Sequence, residues 1–186
     1  TPLTSIISYA DLLQKEHTTE QEKEYLEVLS RQSQRLKRLS EDIVEASKAS
    51  SGMIRAEITD VSLKELSEQA AAEYQEKLEQ AEVELIMDLK PENPVVKADG
   101  RLLWRVLSNL LSNVVKYAQP GTRSYFSSRE EIPGMITISL KNTSREQLNI
   151  EPEELMERFV RGDNSRHSEG SGLGLSIARS LTETMG

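Results

Sequence analysis

The feature that most constrains this chain is a long amphipathic repeat near its beginning. Between residues 26 and 46, apolar and small side chains recur at steps of three and four, while charged side chains occupy the other positions. This spacing is close to a heptad pattern and predicts a long helix with one stripe that must be buried against another surface. The stripe consists of Leu26, Leu29, Ser33, Leu36, Leu39, Ile43 and Ala46.

A shorter helical pattern of apolar residues precedes this stripe, between Leu3 and Leu13. The polar segment 17–21 separates the two patterns, and Thr18 or Thr19 can cap the second helix. We therefore interpret residues 1–52 as a helical hairpin that ends near Gly52. Two such helices cannot cover both stripes alone, so we expect a four-helix bundle with a second copy; packing on the rest of the same chain is the alternative.

Beyond residue 52 the pattern changes to short strands mixed with helices. Ser62 and Glu65 form a capping box that opens one helix, and Asp99 can cap a long helix that runs through Ala118. This mixture predicts an α+β sandwich, with one sheet covered on one face by helices. Alternating segments predict strands at 53–58, 83–89, 95–98 and 135–140, and further helices are predicted at 153–159 and from about Leu173.

The composition argues against several classes of protein. Among 186 residues there are 23 basic and 31 acidic side chains, a net charge of −8, which argues against nucleic acid as a partner. The chain has no cysteine, which excludes a disulfide scaffold and a thiolate zinc site. The sequence contains no apolar run long enough to predict a helix that crosses a bilayer.

A narrow polar stripe lies on the helix predicted at 99–118. Asn109, Asn113 and Lys116 fall within about 60° of one another on a helical wheel, beside the apolar face, and Tyr117 borders that face. Asparagine is a mediocre helix former, and two amide oxygens one turn apart can hold a Mg²⁺ ion that shares phosphate oxygens. For these residues alone, an ordinary solvated helix edge is the alternative.

A glycine-rich run, residues 170–175, leads into the last predicted helix. Its glycines allow the backbone to approach a phosphate, and the helix start presents N–H groups with a positive partial charge. The run lacks the lysine of a Walker loop and the βαβ context of a dinucleotide site. The polar segment before it contains Arg161 and Arg166, which predicts a lid that can meet a triphosphate; a plain solvated loop is the alternative.

Taken in order, four short motifs resemble those of bacterial two-component sensor histidine kinases, over nearly the whole chain. Residues 1–6 resemble the end of the H box, 109–118 the N box, 157–159 the F box and 170–175 the second glycine box. The resemblance implies a dimerisation and phosphotransfer hairpin at residues 1–52. It implies an ATP-binding domain of the gyrase and histidine-kinase type at residues 53–186.

The resemblance also implies roles for individual residues. Asn113, assisted by Asn109, would hold Mg²⁺, Lys116 would meet the phosphates of ATP, and Tyr117 would lie against the nucleotide. Thr1 matches the position four residues after the phosphoacceptor histidine and would orient water when the partner regulator is dephosphorylated. The remaining implied contacts of the nucleotide site are Phe159 under the lid, Arg161, Arg166, and the backbone of Gly170, Gly172, Leu173 and Gly174.

The implied activity is that of an ATP-dependent protein histidine kinase, with homodimerisation through residues 1–52. The γ-phosphate would pass to a histidine just upstream of Thr1 and then to an aspartate of a response-regulator receiver domain. That histidine is not in this sequence, because His17 and His167 lie outside the motif. The family further implies a cytoplasmic portion of a protein that is anchored in the cell membrane.

One motif departs from the family pattern. The first glycine box is degenerate, and by strand register Asn142 takes the place of the aspartate that accepts the amino hydrogen of adenine. An amide oxygen can accept the same bond without charge, so we expect weaker ATP affinity. A dimeric scaffold whose ATP site has decayed is the alternative function.

Overall fold

The computed structural model describes residues 2–16, 19–50, 54–147, 151 and 172–186. The chain forms two compact units, Thr1–Glu45 and Ala46–Gly186. Within the described ranges, no helix has the length and apolar character needed to cross a bilayer.

The first unit contains the first predicted helix and most of the second. Helix α1 spans Pro2–Glu16 and helix α2 spans Glu20–Ser50, so the second unit begins inside α2. Thr19 immediately precedes α2; its carbonyl accepts a hydrogen bond from Lys23 N at 3.2 Å, and its hydroxyl contacts the Glu22 carboxylate. Thr18, the other predicted cap, lies outside the described residues.

Much of the apolar stripe on α2 remains exposed in the single chain. Leu29, Leu36 and Ile43 are 50%, 54% and 49% exposed, whereas Ser33 on the same stripe is buried. Exposed leucine and isoleucine at heptad spacing give this helix an apolar face that is about half exposed.

The second unit contains two small sheets. Strand β1 (Thr59–Ser62) pairs antiparallel with β3 (Val95–Ala98). Strand β2 (Val83–Leu89) pairs parallel with β4 (Thr122–Ile132), which pairs antiparallel with β5 (Met135–Lys141). The strand order of the larger sheet is therefore β2-β4-β5.

Three details of the predicted strands were wrong. The strands form two sheets instead of one. Residues 54–58 are not a strand, and the first strand starts at Thr59, because the backbone N–H of Glu57 bonds to the carboxylate of Asp99 instead of to a neighbouring strand. Strand β4, the centre of the larger sheet, was not predicted, since two of its buried positions are Ser124 and Ser128.

Among the residues that the structure describes, three helices accompany the sheets: α3 (Leu63–Gln80), α4 (Gly100–Tyr117) and α5 (Gly174–Met185). Ser62 caps α3, as the predicted capping box requires, because Ser62 Oγ accepts a hydrogen bond from Glu65 N at 3.3 Å. The predicted helix at 153–159 lies outside the described residues.

Helix α4 is the centre of the core. On one side its residue Val106 packs with Leu173, Ile177, Ala178 and Leu181 from the α5 region. On another side, Leu107 and Leu111 pack with Ala70 of α3 and Phe126 of β4. Helix α4 is thus packed between α5 and the layer formed by α3 and the larger sheet. This packing prevents α4 from rotating about its axis and so fixes where its other faces point.

Candidate nucleotide site

The predicted polar stripe lies along the edge of helix α4. Asn109 and Asn113 are half-buried, while Leu107, Leu111 and Val114 on the core face are almost completely buried. The two amides are four residues apart and therefore lie on the same face, one turn from each other. Burial of the apolar face fixes the direction of both amides, because α4 cannot rotate without exposing its leucines.

The start of helix α5 meets this stripe. Gly174 is the first residue of α5, and a Cβ built on it would lie 3.7 Å from Asn109 Oδ1 and 3.8 Å from Asn113 Oδ1. Both side-chain oxygens therefore point toward the N-terminus of α5. The structure brings together two features that are far apart in the sequence, the polar stripe and the glycine run.

The backbone before Gly174 is shaped for this approach. Gly172 has a φ of +70°, a conformation that side-chain-bearing residues rarely adopt. Leu173 is fully buried, and its carbonyl accepts hydrogen bonds from Ile177 N at 2.8 Å and from Ser176 Oγ at 2.9 Å. A buried leucine thus anchors the glycine run and sets the direction in which α5 begins.

No side chain among the described residues caps helix α5, whose N-cap position is held by Leu173. An uncapped helix start presents N–H groups and a positive partial charge of about half an elementary charge. This end of α5 lies beside the oxygens of Asn109 and Asn113. The site therefore combines hydrogen-bond donors that suit an anion with neutral oxygens that suit a cation.

One donor at this site has no partner within the described part of the chain. The Nδ2 atom of Asn109 is buried and makes no hydrogen bond there. Leaving such a group unpaired costs about 1–3 kcal/mol. Within the described ranges, no group of three or more histidine or carboxylate side chains could hold a metal ion. Two amide oxygens instead suit Mg²⁺ that keeps waters and shares phosphate oxygens.

The other two predicted residues of α4 lie at its C-terminal end. Lys116 is exposed, and Tyr117 is partly buried. Tyr117 also holds the next segment, because its carbonyl accepts a hydrogen bond from Arg145 N at 2.8 Å. Lys116 follows Asn113 by three residues, so the cation lies on the same side of the helix as the amides.

Two protein-family descriptions match the chain. Residues 98–186 match the family described as histidine kinase-, DNA gyrase B-, and HSP90-like ATPase, which includes both α4 and α5. Residues 1–52 match the His Kinase A (phospho-acceptor) domain. The chain belongs to the bacterial sensor histidine kinases. The predicted fold class, a helical hairpin followed by an ATP-binding domain of the gyrase and histidine-kinase type, is confirmed.

Two bacterial sensory proteins are similar to nearly the whole chain. Drug sensory protein A of Synechocystis is 33% identical over 197 residues, which cover 97% of this chain and 29% of that protein. Sensor protein IrlS of Burkholderia pseudomallei is 32% identical over 189 residues, which cover 100% of this chain and 40% of that protein. The chain thus spans less than half the length of these relatives.

Solved structures share the fold. Full-length ShkA in complex with AMPPNP matches 98% of this chain and 38% of its own, with a TM-score of 0.80 and 22% identity. Histidine kinase ThkA in complex with response regulator protein TrrA matches 96% of this chain and 50% of its own, with a TM-score of 0.63 and 24% identity. At these identities the likeness concerns the fold.

In this histidine kinase chain, Asn142 is exposed and directly follows β5. The segment after it is attached to the end of α4: Gln119 N donates to the carbonyl of Thr143 at 2.9 Å, and Ala118 pairs with Ser144. Asn142 therefore lies near the C-terminal end of the helix that carries the polar stripe.

The remaining predicted site residues fall outside the described part of the kinase chain. They are Thr1, Phe159, Arg161, Arg166 and Gly170. Gly172, Leu173 and Gly174 are the described members of the glycine run.

Sequence reasoning missed two contacts that support the site. The Tyr74 hydroxyl of α3 and Ser108 Oγ of α4 are 2.9 Å apart, next to Asn109 in the sequence. The carboxylate of Asp99, predicted only as a helix cap, also accepts a hydrogen bond from Glu57 N. Both contacts join segments that are distant in the chain, and no local pattern indicates which segments will meet.

Proposed function

We propose that this chain is the ATP-binding and phosphotransfer core of a sensor histidine kinase. It binds Mg-ATP between α4 and α5, transfers the γ-phosphate to a histidine just upstream of Thr1, and passes the phosphoryl group to an aspartate of a response regulator. The observation that carries this proposal is the approach of Gly174 to the side-chain oxygens of Asn109 and Asn113. The complexes of ShkA with AMPPNP and of ThkA with a response regulator support the choice of ligand and partner.

The residues around Gly174 suit a metal-bound triphosphate. Asn113, with Asn109, contributes neutral oxygens for Mg²⁺. When bound, Mg²⁺ neutralises charge on the transferring phosphoryl group. The first N–H groups of α5 hold phosphate oxygens in a fixed direction, which favours in-line transfer.

Positive charge at the site has to overcome the overall charge of the chain. A protein with a net charge of −8 repels a triphosphate at long range. Lys116 and the start of α5 provide local positive potential, and Arg161 and Arg166 are proposed to add to it from the lid. The backbone of Gly170, Gly172, Leu173 and Gly174 is proposed to wrap the phosphates.

We propose that the adenine base and the lid are contacted by residues that the family resemblance indicates. Tyr117 lies against the nucleotide, Asn142 accepts the amino hydrogen of adenine, and Phe159 packs under the lid. The attachment of segment 143–145 to the end of α4 supports this assignment, because it holds Asn142 beside the helix that carries Tyr117.

Residues 1–52 are proposed to form the dimerisation and phosphotransfer domain, and residues 53–186 the catalytic domain. The half-exposed Leu29, Leu36 and Ile43 support a homodimer, since a second copy of the hairpin would cover this apolar stripe. Thr1 is proposed to orient the water that dephosphorylates the regulator. The names of the relatives, which are sensor proteins, support a cytoplasmic portion of a membrane-anchored sensor.

Calorimetric titration of the chain with ATP, with and without Mg²⁺, tests the nucleotide site. We expect binding that depends on Mg²⁺ and is lost in Asn113→Ala. Gln75→Ala, which removes an amide from the exposed face of α3, is the matched control and should bind as the wild type does. No heat and no competition by ADP at millimolar concentration would overturn the proposal in favour of a dimeric scaffold.

Phosphotransfer needs a second experiment, because the phosphoacceptor is proposed to lie upstream of Thr1. The protein extended to include that histidine should acquire phosphate from ATP that is labile to acid and stable to base. The Asn113→Ala variant of the same protein should not. Normal ATP binding without any such phosphate would refute the transfer step while leaving the binding site intact.

A further inference from the structure

Residues 54–57, here called the strap, join the region of α2 to strand β1 without forming a strand themselves. The strap is nevertheless attached to the core, because the backbone N–H of Glu57 donates to Asp99 Oδ2 at 3.0 Å. Asp99 is only 2% exposed, so the acceptor of this part-buried hydrogen bond lies inside the fold. A charge-assisted bond in such surroundings is stronger than a neutral one.

The two carboxylate oxygens of Asp99 accept different sets of hydrogen bonds. Oδ1 caps helix α4, since it accepts hydrogen bonds from Arg101 N at 3.0 Å and Leu102 N at 3.3 Å. Oδ2 accepts from Glu57 N and from the Arg101 guanidinium at 3.2 Å. Capping requires only the first oxygen. The second oxygen therefore ties the strap to the start of the helix that carries Asn109 and Asn113.

The other end of the strap is attached by apolar packing. Ile54 packs against the buried cluster that joins α4 to α5. That cluster includes Val106 of α4 and Leu173, the residue directly before Gly174. The strap is thus fixed at both ends to the helix pair whose contact forms the candidate nucleotide site.

We propose that Asp99 is a positioning residue of the nucleotide site. Through Glu57 N it holds the strap in place, so that Ile54 completes the packing between α4 and α5 and keeps Gly174 against the two amide oxygens. This inference rests on the proposed function for its effect on nucleotide binding. The effect on the α4–α5 contact does not require a nucleotide and is measured separately.

The substitution Glu57→Pro tests the hydrogen bond directly, because proline removes the N–H and leaves both oxygens of Asp99 unchanged. We expect the affinity for Mg-ATP to fall about tenfold, because Gly174 is then held less firmly against the two amide oxygens. Glu57→Ala is the matched control: it keeps the N–H and removes only an exposed carboxylate 3.8 Å from Arg101. Its affinity should stay within about twofold of the wild type.

Hydrogen exchange of the protein without nucleotide provides the second measurement. In Glu57→Pro, the amides of α5 from Ile177 onward, which are the ones hydrogen-bonded within the helix, should exchange faster, while amides of α3 should not change. Ile54→Ala should act in the same direction, because it removes the other attachment of the strap. If Glu57→Pro does not fold, Ile54→Ala and Asp99→Asn, which preserves a good helix cap, replace it.

The possible results separate the two proposals. Wild-type exchange at α5 in both strap variants would overturn the role of the strap, and so would faster exchange with unchanged Mg-ATP affinity. If the wild type itself binds no nucleotide, the proposed function fails. The strap contact is then tested by hydrogen exchange alone, and unchanged exchange at α5 in the strap variants would refute it. Faster exchange confined to α5 together with weakened binding would support the positioning role of Asp99.

Discussion

The backbone of Gly174 lies against the side chain of Asn113, with 3.8 Å between Asn113 Oδ1 and the position that a Cβ on Gly174 would occupy. The corresponding distance to Asn109 Oδ1 is 3.7 Å. Both values are ordinary van der Waals contacts, so a methyl group fits there without displacing the helices. Such a methyl group would cover the two oxygens that the proposed Mg²⁺ site uses.

We therefore predict that Gly174→Ala folds normally but binds Mg-ATP at least about tenfold more weakly. Its unfolding free energy should stay the same or rise by up to about 1 kcal/mol, because alanine is the better helix former. Urea denaturation measures stability and calorimetry measures affinity.

Gly100→Ala is the matched control for this substitution. Gly100 is also the first residue of a helix, and among the described residues a Cβ there would contact only the side chain of Val61, at 3.8 Å. It should show the same small change in stability with no change in affinity. Undiminished ATP binding by Gly174→Ala would show that the amide oxygens do not face the nucleotide.

The polar stripe could be predicted because the helical repeat indicates the direction in which each side chain points, as well as the presence of the helix. Once Leu107 and Leu111 are assigned to the core, the positions of Asn109 and Asn113 follow. The approach of Gly174 could not be derived from periodicity, since it depends on how α5 packs against α4. The expectation that the glycine run lies near the polar stripe came from the family resemblance.

Strand β4 shows the limit of the same reasoning. A half-buried strand is recognised by alternating apolar residues, and the buried face of β4 carries Phe126 between Ser124 and Ser128. Tyr125, on the other face, is about half exposed (49%). Small buried hydroxyls and an exposed aromatic conceal the alternation, although this strand is the centre of the larger sheet.

The two buried serines of β4 should respond in opposite ways to substitution by alanine. Ser124 Oγ is buried and has no hydrogen-bond partner within the described ranges, so Ser124→Ala should raise the unfolding free energy by up to about 1 kcal/mol. Ser128 Oγ accepts a hydrogen bond from Lys90 N at 3.1 Å, so Ser128→Ala should lower it by about 1 kcal/mol.

Chemical denaturation of the two variants beside the wild type checks this pair of predictions. The two substitutions remove the same atom from fully buried positions of one strand, so each is the control for the other. Equal destabilisation by both would mean that Ser124 has a partner in solution, such as a buried water.

Asn142→Asp restores a charged acceptor at the proposed adenine contact. A charged acceptor contributes roughly 1 kcal/mol more than a neutral one, so ATP affinity should rise by up to about fivefold. Because Asn142 is exposed, stability should be unaffected. Competition binding measures the change, with Asn142→Ala as the variant that should bind more weakly. A clear loss of affinity in Asn142→Asp would show that this residue does not meet the amino group of adenine.

Asp99 should make the stability of the second unit sensitive to acid. The hydrogen bond from the backbone of Glu57 lowers the pKa of the Asp99 carboxyl below its usual value, and bonds from Arg101 and Leu102 add to this effect, while burial opposes it. A carboxyl whose pKa is lower in the folded state stabilises that state above the pKa of the unfolded chain, about 3.9. The stabilisation is lost as the pH falls through the lower pKa of the folded state.

The substitution Asp99→Asn removes this titration while keeping a residue that caps helices well. The wild type should therefore be more stable than the variant by about 1–3 kcal/mol near neutral pH, with a difference that is constant above about pH 5. Below about pH 4 the difference should shrink, because the wild-type carboxyl becomes protonated and loses its charge-assisted bonds. Unfolding free energies measured from neutral to acid pH check the sign. A difference that grows toward acid would mean that the charge on Asp99 destabilises the fold, which would contradict the role of its carboxylate as an acceptor for Glu57 and the start of α4.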